Sequence, residues 1–185
     1  MQKTIKLQTP LLKDNAGKLK AGDIVSISGI VYAARDAAHQ RMIDMISRGE
    51  ELPFDIKNQV IYYVGPCPPK PGQVIGSAGP TTSSRMDAFT PQLLRLGLAG
   101  MIGKGLRSSE VIESIKEHGA VYFGAIGGAG ALIAKTVMKQ ETIAFHELGP
   151  EALIKLTVED FPATVIIDSR GSNLYQIGKN RYKMF

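Results

Sequence analysis

Short apolar runs alternate along the chain with segments in which apolar side chains recur at helical spacing. Six runs have the β-branched or aromatic composition of buried strands: residues 23–33, 60–64, 73–77, 120–125, 142–145 and 164–168. Four segments have helical periodicity: residues 36–48, 85–96, 109–118 and 128–138. The alternation predicts an α/β or α+β fold in which the strands are covered by helices.

Residues at the ends of these segments sharpen the prediction. Ser108 can cap the helix predicted over 109–118, and Gly119 is a suitable C-terminal stop. Pro91 lies inside the segment 85–96, where a proline breaks or kinks a helix. Because the sequence has no internal repeat and no recognisable linker, we expect a single domain over residues 1–185 with a strand-rich C-terminal end.

The composition is typical of a folded protein that has no disulfide bonds. Hydrophobic residues make up 44% of the 185 residues, which suffices for a core. Cys67 is the single cysteine, so an internal disulfide is impossible, and we expect no metal ligands or thiolate-held cluster in this chain. Residues 1–12 lack a signal-peptide pattern, and no run approaches the ~18 apolar residues of a membrane span. We therefore expect a cytoplasmic protein.

The formal net charge of +5 limits the kinds of partner. A basic balance suits nucleic acid, an anionic small substrate or an acidic partner subunit. The sequence has no basic stripe interleaved with aromatic residues, so we do not expect nucleic-acid binding.

Two glycine-rich segments suggest phosphate binding, and both fail on spacing. In residues 124–130, Ile133 stands where a dinucleotide fingerprint requires its third glycine, and close backbone packing explains these glycines better. Around Lys104 the glycine spacing of a P-loop is missing, and Gly105 stands where a magnesium-binding serine or threonine is needed. Lys104 is still accessible to an anion, although a solvated turn lysine explains it equally well.

The first candidate site lies at the end of a strand and the start of a helix. Asp36 and His39 are three residues apart, so the carboxylate can meet the imidazole, raise its pKa and fix its tautomer. Arg35 precedes the helix, where its planar guanidinium can bind a carboxylate. The alternative is an ordinary helix start, with Asp36 favouring the dipole and Arg35 in solvent.

The second candidate site is a run of four hydroxyl residues, 81–84, between a Gly-Pro turn and a predicted helix. A helix start favours an anion, the hydroxyls add donors, and Arg85 adds a positive charge. Helix capping is the simpler explanation, but a cap needs only one hydroxyl. With Arg35 and Lys104, Arg85 would give three cations around a small polycarboxylate.

Four strings carry a family resemblance: SGIVYAARDAAH (28–39), VGPCPPKPGQVIGSAGPTTSSRMD (64–87), GLAGMIGKG (97–105) and VYFGAIGGAG (121–130). Together they strongly resemble the C-terminal, or β, part of class I fumarases and L-tartrate dehydratases. The resemblance implies a swivelling β/β/α domain and a [4Fe–4S] hydro-lyase that reversibly hydrates fumarate to L-malate. It places the cluster on a partner α subunit, in an α2β2 assembly, where the free iron corner acts as a Lewis acid on the hydroxyl.

The resemblance also implies roles for individual residues. Thr81 looks like the catalytic base that removes the proton next to a substrate carboxylate. Four residues resemble substrate contacts: Arg35, Thr82, Arg85 and Lys104. Asp36 and His39 look like supporting catalytic residues that orient Arg35 or the pocket wall, and Cys67 looks incidental.

Two alternatives stay open beside the fumarase reading. An L-tartrate dehydratase β subunit shares the chemistry and differs by one substrate hydroxyl. A non-enzymatic dicarboxylate-binding module would bind fumarate or malate without any partner.

Overall fold

A computed structural model of the chain describes residues 3–181. Within them the seven strands are β1 (Ile5–Gln8), β2 (Ile24–Ala33), β3 (Val60–Tyr62), β4 (Gly100–Gly103), β5 (Val121–Gly124), β6 (Val137–Ala144) and β7 (Leu153–Ile167). The six α-helices are α1 (Lys13–Ala16), α2 (Asp36–Ser47), α3 (Thr90–Arg95), α4 (Ser109–His118), α5 (Gly130–Ala134) and α6 (Leu174–Arg181). Two 3₁₀-helices, Ser83–Met86 and His146–Glu151, precede α3 and β7.

The strands form one mixed sheet in the order β1-β2-β3-β4-β5-β7-β6. Neighbouring strands from β1 to β5 are parallel, whereas β7 pairs antiparallel with β2, β5 and β6. Because the long strand β7 contacts both β5 and β2, the pairings β2-β3-β4-β5-β7 close into a ring. The predicted α/β class is confirmed, in a single mixed α/β domain.

Hydrophobic side chains pack on both faces of the parallel strands. Side chains alternate along a strand, so Tyr62 joins a buried cluster that includes Val158 and Phe161 of β7. Its neighbours Ile61 and Tyr63 join a second cluster, shared with helices α2, α3 and α4. The parallel strands therefore lie between a helical layer and the antiparallel strands. No helix within residues 3–181 is long and apolar enough to span a bilayer.

The ends of a helix were predicted most accurately where the sequence has a capping residue or a glycine stop. Helix α4 starts after Ser108, whose hydroxyl accepts a backbone N–H at 3.3 Å, and it ends at Gly119 with φ 69°. Helix α2 starts at Asp36, as predicted. The segment predicted over 85–96 is broken into a 3₁₀-helix and α3, with Pro91 in the first turn of α3.

The strand predicted over residues 73–77 is wrong. These residues fold back on the proline-rich turn instead of joining the sheet. The backbone N–H of Gly76 donates to the carbonyl of Cys67 at 3.1 Å, and the N–H of Cys67 donates to Ser77 at 2.9 Å. Local turn bonding therefore satisfies the groups that a sheet neighbour would have paired.

The helix predicted over residues 128–138 is too long. Helix α5 ends at Ala134, and the β-branched Val137 already pairs with Val158 of β7. The strands predicted over 142–145 and 164–168 are the ends of the longer β6 and β7. Four elements had no counterpart among the predicted ones: strands β1 and β4 and helices α1 and α6.

A buried arginine joins the helical layer to the sheet. The side chain of Arg107 is fully buried, and its Nε donates to Asp87 at 2.6 Å while one terminal nitrogen donates to Thr90 at 2.7 Å. Its guanidinium lies over the rings of Tyr63 and Tyr122, 5.4 and 5.0 Å from their centroids. A charge at this depth is tolerated because the carboxylate, hydroxyl and ring faces replace its hydration.

Replacing Arg107 with methionine should destabilise the fold strongly, because it leaves the carboxylate of Asp87 largely buried without its partner. Breaking a buried pair costs about 3–5 kcal/mol, measurable as a lower free energy of unfolding in urea. Arg48→Met is the matched control, since the Arg48–Glu50 pair is exposed and contributes little. Equal losses in the two variants would contradict this assignment.

Candidate functional site

The predicted site residues gather where the parallel strands end. Arg35 lies just after β2, and Lys104 directly follows β4. Thr81 donates its backbone N–H to Tyr63, the residue after β3, at 2.8 Å. Ligands in α/β folds bind outside the carboxyl ends of such strands, so this edge is the candidate site.

The carboxylate of Asp36 joins two arginines from different elements. Arg35 Nε lies 3.2 Å from Oδ2 of Asp36, and Arg85 Nε lies 2.8 Å from Oδ1. Both bonds use Nε, and within residues 3–181 the terminal nitrogens of Arg85 have no further hydrogen-bond partner. The structure thus brings Arg35 and Arg85 together at the helix start, where sequence spacing alone could not place Arg85.

Asp36 remains ionised between these two cations. Burial pushes the pKa of Asp36 upward, but a backbone N–H, the hydrogen bond from Arg35 and the charge of Arg85 outweigh it. The pKa of Asp36 therefore lies below its ordinary value. Its negative charge holds two guanidinium groups side by side.

Arg35 is further fixed by its packing. A Cβ at Gly65 would lie 2.9 Å from Arg35 Cδ, so a side chain there would displace the arginine. One terminal nitrogen of Arg35 lies 3.5 Å from a carboxylate oxygen of Glu151, on the 3₁₀-helix before β7. Neither Gly65 nor Glu151 was predicted, because their contacts to Arg35 cross between distant parts of the chain.

The hydroxyl run is bound to the segment that carries Lys104. Thr82 forms an isolated parallel bridge with Lys104, and the N–H of Ser83 donates to the Lys104 carbonyl at 2.9 Å. A Cβ at Gly127 would lie 3.6 Å from Lys104 Cδ, so the lysine side chain extends toward that glycine loop. The side chains of Thr82 and Lys104 share the exposed side of this edge, whereas Ser83 is buried.

Helix capping does not account for the four hydroxyls. The residue before the 3₁₀-helix is Thr82, and its side chain makes no capping hydrogen bond. The hydroxyl of Ser83 lies 2.9 Å from the hydroxyl of Tyr122, below the surface. The run therefore splits into a buried anchor, Ser83, and more accessible hydroxyls that include Thr81 and Thr82.

The expected pairing of Asp36 with His39 is wrong. His39 is fully buried, and its Nδ1 forms its hydrogen bond with the backbone carbonyl of Arg35, at 2.9 Å, and not with the Asp36 carboxylate. Its ring contacts Tyr63 and Phe89, 5.3 and 5.8 Å between centroids. Burial lowers the pKa of His39 to about 4, so the imidazole is neutral instead of having the raised pKa that we predicted.

The tautomer of His39 follows from that contact. A carbonyl oxygen can only accept, so Nδ1 carries the proton and donates to Arg35. Within residues 3–181 the other ring nitrogen has no hydrogen-bond partner. His39 thus supports the backbone of Arg35 from inside the helical layer.

The candidate site is an exposed edge and not an enclosed cavity. Thr82, Arg85 and Lys104 are all exposed, whereas Arg35 and Asp36 are half-buried. A surface cavity of about 620 Å³ lies elsewhere, lined by residues from the end of α2 and the loop that follows it. None of the predicted site residues lines that cavity.

The described residues do not fit an iron–sulfur cluster. Among residues 3–181, no group of three or more histidine, cysteine, aspartate or glutamate side chains is arranged to hold a metal ion. Cys67 is exposed in its turn and stands alone. A cluster would need ligands that this part of the chain does not offer.

Fold and site together define an α/β domain with a basic, hydroxyl-rich cluster at the carboxyl ends of its parallel strands. The family model for the fumarase C-terminus matches residues 1–178. The chain therefore belongs to the fumarase C-terminal family, and the resemblance seen in the sequence is confirmed.

Individual relatives fall into two groups by length. The chain is 39% identical to fumarate hydratase 2 of Leishmania major over 92% of its length, and 41% identical to the aerobic class I fumarate hydratase of Escherichia coli over 82%. It spans only 31% and 28% of those two proteins. It is also 39% identical to a putative L(+)-tartrate dehydratase subunit beta of Methanocaldococcus jannaschii, over 94% of this chain and 92% of that subunit.

The buried, neutral His39 predicts a specific pH dependence of stability. Its pKa is lower in the folded chain than in the unfolded chain, so the unfolded state binds more protons below pH ~6.5. The free energy of unfolding therefore decreases as the pH is lowered. Between pH 7 and pH 5 this should remove about 2 kcal/mol of unfolding free energy, a loss that His39→Asn abolishes. Urea unfolding at the two pH values measures the difference, and identical pH slopes in the two proteins would refute it.

Proposed function

We propose that this chain is the β subunit of a two-subunit hydro-lyase that interconverts fumarate and L-malate. It would supply substrate binding and the catalytic base and would be inactive without its partner. The observation that carries the proposal is a pair of contacts at one sheet edge. Asp36 forms ion pairs with both Arg35 and Arg85, and the backbone of Thr82 pairs with that of Lys104. The names of the relatives support the choice of reaction.

The arginine pair suits one end of a dicarboxylate. Asp36 takes the Nε of both arginines, and Glu151 takes one terminal nitrogen of Arg35. The terminal nitrogens of Arg85 are therefore the ones offered for a bidentate contact with a substrate carboxylate. Lys104 lies at the end of β4, two strands away from β2 in the sheet, and would hold the second carboxylate, with a contact from Thr82. A dianion with charges at both ends needs two such cationic positions, and one edge of the sheet offers both.

Thr81 would take the proton from the carbon next to a carboxylate. A threonine hydroxyl is a weak base, so it needs nearby positive charge to stabilise its deprotonated form. The basic side chains at the same edge could supply that charge. They would also stabilise the negative charge that develops on the substrate carboxylate as the proton leaves. The Thr81 backbone is held by its bond to Tyr63.

Chemistry at the substrate hydroxyl is left to the partner in this proposal. Since residues 3–181 offer no ligand set for a [4Fe–4S] cluster, we assign the cluster to an α subunit. The full-length match to a protein named as a β subunit supports a two-chain arrangement, for which we propose an α2β2 assembly in the cytoplasm. The layered sheet supports a swivelling β/β/α fold for the single domain over residues 1–185.

The α subunit would close the open edge. Two large apolar side chains stand exposed beside Lys104 in the topology: Leu106 follows β4 and Ile126 follows β5, with 65% and 76% of their surfaces accessible. Apolar side chains next to an exposed charged cluster suit a partner that buries both. Excluding water there would strengthen every electrostatic contact to the substrate.

A direct test is to co-express this chain with a cluster-bearing α chain and to assay the complex on L-malate and L-tartrate. Malate turnover by the complex, with none by the isolated chain, is expected. Preference for tartrate would favour an L-tartrate dehydratase β subunit, which the length match to the Methanocaldococcus jannaschii subunit supports. Tight fumarate binding by the isolated chain, without turnover in the complex, would instead indicate a non-enzymatic dicarboxylate-binding module.

Removing the Thr81 hydroxyl should abolish turnover with little effect on substrate binding. We expect Thr81→Ala to lower kcat of the complex by about 10²–10⁴-fold, the usual contribution of a general base. Ser84→Ala is the matched control, because it removes an exposed hydroxyl from the same run. A near-normal kcat in Thr81→Ala would remove the base role.

A charge on the rim should weaken assembly. Leu106→Asp puts a carboxylate into the surface proposed to contact the α subunit, and it should raise the dissociation constant of the complex by about tenfold or more. Leu96→Asp is the control. Leu96 is exposed at the end of α3, just before the start of β4, whereas Leu106 follows the end of β4. Sedimentation or titration calorimetry measures both, and equal effects would place the interface elsewhere.

A further inference from the structure

A buried tyrosine lies directly beneath the Thr82–Lys104 bridge. Tyr122 is on β5, has no exposed surface, and places its hydroxyl 2.9 Å from the Ser83 hydroxyl and 3.0 Å from the Gly105 carbonyl oxygen. A phenol has one proton to donate, and a carbonyl can only accept. Both contacts are satisfied when Tyr122 donates to Gly105 and the Ser83 hydroxyl donates to Tyr122.

The two groups that Tyr122 contacts belong to the two segments of the site. Ser83 directly follows Thr82, and Gly105 directly follows Lys104. The backbones of the two segments are joined at this point by the Thr82–Lys104 bridge, which includes the bond from the N–H of Ser83 to the Lys104 carbonyl at 2.9 Å. The phenol therefore adds a second, side-chain connection between them from inside the domain.

The Tyr122 ring is itself held in place. The guanidinium carbon of Arg107 lies 5.0 Å from its centroid, and that arginine is fixed by its 2.6 Å bond to Asp87. A Cβ at Gly103 would overlap the Ser83 hydroxyl, so the hydroxyl sits tightly against the β4 backbone. Burial raises the pKa of Tyr122, which keeps the hydroxyl protonated and able to donate.

We propose that Tyr122 is a positioning residue that sets the separation between the threonine pair and Lys104. It touches no substrate in this arrangement and acts through Ser83 and Gly105. The inference rests on the proposed function, since the separation matters because Thr81 and Lys104 act on one substrate. Small displacements of reacting groups reduce turnover steeply, by up to about 10²-fold for 1 Å.

The first measurement tests the contacts of the Tyr122 hydroxyl with Ser83 and Gly105, which we call the tyrosine clamp, and it does not depend on enzyme activity. Tyr122→Phe keeps the ring over Arg107 and removes only the hydroxyl. Thr136→Val is the control, because it removes a half-buried hydroxyl that donates to the Ile133 carbonyl at 2.7 Å, outside the two segments. Hydrogen exchange read by mass spectrometry should show faster exchange in residues 82–84 and 104–106 for Tyr122→Phe. Equal exchange in the two variants overturns the proposal.

The second measurement is the kinetics of the assembled complex. Tyr122→Phe should lower kcat at least about tenfold with a smaller change in KM, because Arg35 and Arg85 still hold the substrate. Thr136→Val should lower kcat less than about threefold. A kcat of Tyr122→Phe within the control's range overturns the positioning role.

Ser83→Ala distinguishes a shared clamp from two independent effects. If Tyr122 acts through the Ser83 hydroxyl, the double variant should be little slower than Tyr122→Phe alone, whereas multiplying effects would overturn that path. The failure of the proposed function has a different signature. If the wild-type complex turns over neither malate nor tartrate, the proposed function is refuted. The hydrogen-exchange comparison then shows on its own whether Tyr122 holds the two segments together.

Discussion

The candidate site depends on one carboxylate placed between two guanidinium groups. Without Asp36, the side chains of Arg35 and Arg85 would repel each other, and the 3₁₀-helix would lose its ion pair to the start of α2. Asp36 and Glu151 balance the two arginine charges, and the exposed terminal nitrogens of Arg85 are left to bind a further carboxylate. The same interaction therefore organises the site and leaves it ready for an anionic ligand.

The fold separates the site into an exposed face and a buried support. The parallel strands end at one edge, so loops from distant parts of the sequence present Arg35, Thr81 and Lys104 at that same edge. Two buried side chains hold these loops from below. The Tyr122 hydroxyl contacts both Ser83 and Gly105, and His39 donates to the Arg35 carbonyl. Rigid support of this kind fixes catalytic geometry more precisely than flexible loops could.

Sequence reasoning found what is encoded locally. The Ser108 cap and the Gly119 stop defined α4 because they depend on neighbouring residues alone. Residues 128–138 were misjudged because pairing with β7, distant in sequence, overrides the helical pattern from Val137 onward. The Asp36–His39 pairing was misjudged because Arg85, far along the chain, takes the carboxylate while burial keeps the histidine neutral.

The roles of Tyr122 and Arg107 had no signal in the sequence, because a tyrosine in a strand and an arginine in a loop are ordinary. The central claim is that the Arg35–Asp36–Arg85 cluster and Lys104 together hold a dicarboxylate. A structure of the chain assembled with its α subunit and soaked with succinate, which cannot be hydrated, tests it directly. We predict one carboxylate on the terminal nitrogens of Arg85 and the other on Lys104. Succinate bound away from this edge would contradict the claim.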